Sequence, residues 1–135
     1  MIQPALREGT GRTVLLVDDD KPLIKMMSLY LVRLGYEVHA AESADVAWAA
    51  VQSAADLAAA LLDASIDGLQ MEDLAGNLLA TNPRMCVIVA SGYPVDMSAL
   101  EATAPGRVVF LQKPFTAGKL ADTLRRIIAS QEEDV

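Results

Sequence analysis

The sequence predicts an α/β fold: a doubly wound, five-stranded parallel sheet carrying five helices. Short apolar runs recur along the chain and amphipathic stretches separate them. The runs are too continuous for strands with one face in water, so both faces are covered. Strand and helix alternate five times, the order that gives right-handed crossovers with helices on both sides of a parallel sheet.

Thr13-Val14-Leu15-Leu16-Val17, Leu57 to Leu62, Met85-Cys86-Val87-Ile88-Val89 and Arg107-Val108-Val109-Phe110-Leu111 are the nearly unbroken runs. The Ala-rich Leu57 run has a composition equally suited to a helix, and its length and place in the alternation make it a strand. Tyr36 to Ala40 alternates more and belongs nearer an edge. Pro22 to Leu34 spaces Leu23, Met27, Tyr30, Leu31 and Leu34 helically, with Asp20 as N-cap and Gly35 as stop. Ser43 caps a helix over 44–53 whose apolar face is Val46, Ala47, Ala50 and Val51. A third helix runs from Asp73 to Thr81 and ends before Asn82-Pro83, since the residue before proline disfavours helix. A fourth spans Pro94 to Thr103, closed by Pro105-Gly106. Thr116 caps the fifth, with Leu120, Leu124, Ile127 and Ile128 inward.

With 135 residues and 53% hydrophobic content the chain has enough apolar mass for one domain. The expected division is a flexible leader over 1–11, a folded domain over 12–131 and an acidic tail over 132–135. Nothing near the start resembles a signal peptide and no window is apolar for the ~18 residues of a membrane span, so a cytoplasmic location is expected. Cys86 sits inside an apolar run and reads as a buried thiol. The net charge is -7 and the one dense basic cluster is Arg125-Arg126, which argues against direct nucleic-acid binding.

The chemistry gathers at strand ends. Ligands of an open parallel sheet bind at the carboxyl ends of its strands, and Asp18, Asp19, Asp63, Ser91 and Lys113 all fall there. Two carboxylates ~4 Å apart repel by ~4 kcal/mol at an effective dielectric of 20, so the three need a cation or a proton. A few carboxylates with room for water and phosphoryl oxygens suit Mg²⁺ better than a closed calcium cage. Lys113 supplies a compact positive charge and the Ser91 hydroxyl a donor. Asp63, alone at the end of the middle strand, is placed to be the nucleophile of an acyl phosphate.

These residues resemble the receiver domain of two-component response regulators over about residues 12 to 130. Asp63 follows Asp19 by 44 positions and Lys113 follows Ser91 by 22, the family's spacings. The resemblance implies a flavodoxin-like sheet of order 2-1-3-4-5 and a phosphorylation-switched signalling role, with self-catalysed phosphoryl chemistry in place of turnover. It makes Asp63 the phospho-acceptor and Lys113 its ion-pair partner. Asp18, Asp19, Asp63 and the Ser65 backbone carbonyl become ligands of Mg²⁺ (Mn²⁺ as substitute). Ser91 and Phe110 become switch residues, and Lys113-Pro114 a cis peptide. Ser65 and Tyr93 take the positions that flank water attacking the acyl phosphate. Implied partners are a sensor histidine kinase or phosphotransfer protein, a downstream protein target on residues 92–128, and a second copy in a homodimer.

The chain departs from the family after Asp63. Asp63-Ala64-Ser65-Ile66-Asp67-Gly68 lacks the usual Met-Pro turn, and the stretch to Ser91 is about two residues short. Asp67 reads as a solvated loop carboxylate, His39 as a solvated residue at a strand end, the scattered methionines as filler, and Trp48 as half-buried. With no effector domain after the last helix, the expectation is a stand-alone receiver or one like those fused to sensor kinases in a phosphorelay; Phe110 to Phe115 looks like the latter. Two other classes compete. A haloacid-dehalogenase-type phosphatase would use Asp18 and Asp20 and leave Asp63 idle. A flavodoxin-like electron carrier would need a Ser/Thr/Gly-rich loop where this chain has Asp18-Asp19-Asp20-Lys21.

Overall fold

Successive residues of β1 (Thr13–Val17) enter two different cores, which is why the run reads as continuously apolar. Leu15 and Val17 join one core, and Val14 and Leu16 the other. The same division runs through β3 (Leu57–Asp63) and β4 (Cys86–Ser91). Ala60, Leu62, Val87 and Val89 lie in the first core, and Ala59, Leu61, Cys86 and Ile88 in the second. Helices α2 (Ala44–Ser53), α3 (Gly68–Thr81) and α4 (Ser98–Thr103) cover the first core; α1 (Lys21–Arg33) and α5 (Ala117–Glu133) cover the second. With β2 (Glu37–Ala41) and β5 (Val108–Gln112) at the edges, the parallel sheet has the order β2-β1-β3-β4-β5.

This computed structural model describes residues 11–53, 56–65 and 68–133. Residues 1–10 of the expected leader, Ile66 and Asp67 of the loop, and 134–135 of the tail lie outside the described residues.

Helix starts follow their capping residues. Asp20 accepts from Leu23 N at 3.1 Å, Ser43 from Val46 N at 3.2 Å and Thr116 from Lys119 N at 3.0 Å. Gly35 closes α1 with φ +99°, a conformation that costs glycine little.

Several boundaries differ from expectation. α3 begins at Gly68, more than a turn before Asp73, and Met71, Leu74, Ala75 and Leu78 carry its buried stripe. α4 begins at Ser98 because Asp96 Oδ1 takes both the Ser98 N–H (2.9 Å) and its hydroxyl (2.6 Å), holding the chain in a turn. The fully buried residues of α2 are Ala44 and Ala47, Val51 packs partly buried against the same core as expected, and Val46 stands exposed. Tyr30 lies on the exposed side of α1. His39 is central in edge strand β2 and partly exposed, 3.8 Å from Glu37. Burial pushes the Cys86 thiol up to about 11, consistent with an inert core residue.

The extra length of the strands matters most for the site. β3 runs through Asp63 and β4 through Ser91, so both functional candidates are the last residues of paired strands. Asp63 registers with Ala90, and Ser91 with Gln112.

Candidate functional site

β1 and β3 are neighbours in the middle of the sheet, with Val17 opposite Leu62. The residues that follow are therefore side by side: Asp18 and Asp63 are each only 2% exposed, whereas Asp19 is exposed. Carboxylate oxygens of Asp18, Asp19 and Asp63 all lie within 4.8 Å of one another. Asp18 and Asp19 share the pocket because the chain leaves the ladder after Val17, which releases the alternation of a strand.

Lys113 follows β5 and reaches back across the pocket. Its ammonium lies 3.0 Å from Asp18 Oδ2 and 3.3 Å from Asp63 Oδ2. Burial would depress the Lys113 pKa, but its bond to Asp18 and the charges of both carboxylates raise it. The Lys113–Pro114 peptide that carries this turn is cis.

The two buried carboxylates are unlike. Burial, with the Asp63 charge nearby, raises the Asp18 pKa against the Asp20 N–H and Lys113 bonds that favour its anion. Asp63 is equally buried, yet donors hold its pKa low. Ser65 gives it an N–H at 3.0 Å and a hydroxyl 2.9 Å from each oxygen, and Lys113 adds its charge. Asp63 is thus the more readily ionised of the two.

The Ser65 hydroxyl is a participant that the sequence reading missed, since it weighed only the carbonyl and the flanking position. The signal was a hydroxyl two residues after an aspartate, the spacing of a side-chain turn. Ser91, 7% exposed, accepts the Tyr93 N–H at 3.0 Å; this leaves its own hydrogen available to donate. Tyr93 itself is 80% exposed. Phe110 is half-buried and lines a groove of about 370 Å³ with Lys119, Thr123 and Ile127. A cleft of about 400 Å³ opens at the opposite end of the strands, between Arg12, Asp56, Arg84 and Gln131. Cavity volume alone would have misplaced the site.

This donor set of hard oxygens around an ammonium suits a divalent cation and a phosphoryl group. The sequence profile of the response regulator receiver domain matches residues 14–125. The chain belongs to the response regulator receiver family. It is a receiver domain of two-component systems, in the flavodoxin-like fold. Among solved structures, the CheY-like receiver domain protein of Methanospirillum hungatei JF-1 superposes with a TM-score of 0.80 at 23% identity, covering 93% of this chain and 99% of that one. The DNA-binding transcriptional regulator NtrC of Rhizobium meliloti (strain 1021) is 28% identical over 120 residues, which are 89% of this receiver and 25% of that protein. The sensor kinase CckA of Brucella abortus (strain 2308) is 29% identical over 132 residues, 97% of this receiver and 14% of the kinase. The receiver thus spans a quarter or less of these two relatives. Among the described residues no helix is long and apolar enough to cross a membrane.

Proposed function

We propose that this receiver accepts a phosphoryl group on Asp63 from a partner histidine kinase or phosphotransfer protein, in a Mg²⁺-dependent reaction, and answers with a change of surface. The observation that carries the reading is the state of Asp63: buried, held anionic by Ser65 and Lys113, and within 4.8 Å of the Asp18 and Asp19 oxygens. In the transfer an Asp63 oxygen forms the new O–P bond while the donor's N–P bond breaks, its electron pair staying on the donor nitrogen. Lys113 neutralises charge beside the acceptor, and the free hydrogen of the Ser91 hydroxyl is the donor for a phosphoryl oxygen. Asp18, Asp19, Asp63 and the Ser65 carbonyl would hold Mg²⁺ or Mn²⁺; bound there, the cation offsets the charge of carboxylates and phosphoryl oxygens alike.

Incubation with Mg²⁺ and a small-molecule phosphodonor is expected to add one acid-labile, hydroxylamine-sensitive phosphoryl group, and Asp63→Asn to abolish it. Labelling that survives in the variant sinks the assignment. Output runs through Ser91 and Phe110 to residues 92–128, a two-state element biased by new local charge. Amide exchange that changes only beside Asp63 would refute that route.

Phosphoryl lifetime belongs to the same proposal. Ser65 and Tyr93 flank the approach of water, and neither is an acid or amide able to orient it, so slow self-dephosphorylation is expected. Ser65 already bonds the carboxylate, whereas the exposed Tyr93 ring must swing inward to obstruct water. Tyr93→Glu is expected to shorten the lifetime, and an unchanged or longer one removes Tyr93 from the reading.

The likeness to CckA favours a second version, in which the receiver serves a hybrid sensor kinase or phosphorelay. The phosphatase alternative loses support, because Asp20 is occupied in capping α1.

A further inference from the structure

Away from the strand ends, α2 and α3 leave a groove of about 210 Å³ between them, lined by Ala44, Asp45, Trp48, Asp73, Leu74 and Asn77. Its origin is local. α2 turns Ala44 and Ala47 inward and α3 answers with Leu74 and Ala75, all buried. The small methyls let the helices approach, and Ala44 is too short to fill the opening above. The chain's single tryptophan forms a wall, packed by one side against the core and otherwise partly exposed. Asp45 and Asp73 are exposed on opposite helices. Asp45 stands in the first turn of α2, where a helix favours an acid. Asp73 lies beyond the first turn of α3 and has no such local reason.

A groove lined by an indole, two carboxylates and the apolar Ala44 and Leu74 is complementary to one kind of side chain. The guanidinium of arginine stacks flat on an aromatic ring, forks to carboxylates and carries an apolar stem. The groove suits one long side chain in size, and the molecule's charge of -7 draws cations toward it. We infer that the α2–α3 groove is a docking site for an arginine of a basic segment on a protein partner, seated on Trp48 between Asp45 and Asp73. This surface lies on helices that the phosphoryl reading does not use and goes beyond that reading.

Trp48 makes the test direct, since all tryptophan emission of the chain reports on the groove. The unphosphorylated protein is titrated with a hexapeptide of alternating glycine and arginine, with a glycine–glutamate hexapeptide as control. A saturable change of Trp48 emission is expected with the arginine peptide alone, weakening as salt is raised. The exposed double substitution Asp45→Asn with Asp73→Asn is expected to raise the midpoint at least tenfold. The lysine counterpart of the peptide is expected to bind several-fold more weakly. No saturable change at millimolar peptide, or a midpoint unmoved by the double substitution, overturns the inference. Peptide attracted instead to Asp18, Asp19 and Asp63 gives that second result. No phosphoryl group enters the measurement, so failure here and failure of the receiver chemistry are told apart.

Discussion

Ser65 donates twice to Asp63, and the consequence is a pH signature. A carboxylate whose folded pKa is depressed contributes stability that is present above its unfolded value, near 3.9, and lost as pH falls through the folded value. Asp63 is of this kind. Asp18 is the opposite: its pKa is raised, so its contribution is complete below the unfolded value and fades as pH rises through the folded one. The two slopes oppose each other in the metal-free protein, and Ser65→Ala isolates one of them. The substitution is expected to cost about 1 kcal/mol or less near neutrality, the Ser65 side chain being solvent-exposed. It should also start the acid limb of the melting curve at a higher pH. A Tm-against-pH profile identical to the parent's would show that the Ser65 bonds do not act on Asp63. Asp63 was legible from its place after an apolar run, but the inequality of the two buried acids was not. Both are aspartates at strand ends, and only the donors around each tell them apart.

Among elements, α3, β4 and β5 are fastened by one residue. Arg107 donates Nε to Met85 O at 2.9 Å and Nη2 to Leu79 O at 3.1 Å, and Nη2 also bonds Asn82 O. These carbonyls lie at the end of α3 and in the turn that follows, where a helix leaves acceptors unsatisfied. Arg107→Ala is expected to destabilise by about 2 kcal/mol in urea unfolding. Arg107→Lys should restore only part of it, since a compact ammonium lacks the spaced Nε and Nη2 donors that reach these carbonyls. α1 carries a different message. Met26, Leu29, Tyr30 and Val32 stand exposed, Lys21, Lys25 and Arg33 accompany them, and the helix has no acid. It begins one residue beyond the Asp18–Asp19 pair, at the cap Asp20, so on the proposed reading a protein donor approaching Asp63 would pass this rim. Leu29→Asp is expected to slow transfer from a protein donor at least tenfold and leave small-molecule phosphorylation unchanged; equal rates with both donors would clear α1 of any part. Caps made α1, α2 and α5 readable in the chain. The start of α4 was not, because Asp96 draws the Ser98 N–H into a turn while the surrounding residues still look helical.

At the scale of the molecule, the charges that suit a ligand stand at one end of a sheet whose interior is apolar. A millimolar divalent cation is expected to raise the Tm, since it binds the folded cluster and the unfolded chain has no such site; at ten times its Kd the gain is roughly 1.4 kcal/mol. Asp19→Ala should remove that response, and equal shifts in parent and variant would show that Asp19 is no ligand. The strands and their strand-end chemistry were legible because buried parallel strands announce themselves as apolar runs that stop at polar residues; the order of the sheet came from the family resemblance. What lay beyond reach were contacts made across the pocket, Lys113 to Asp18 above all, which join residues 95 positions apart. The register bears on folding kinetics as well. β1 and β3 pair from Thr13 with Leu57 onward, so the central ladder forms only after a long chain segment has closed, and non-local pairing of this kind slows folding. That ladder leads at its far end into Asp18 and Asp63, two acids that must be brought together as it zips. In the absence of a divalent cation, added monovalent salt should therefore quicken refolding more than it retards unfolding.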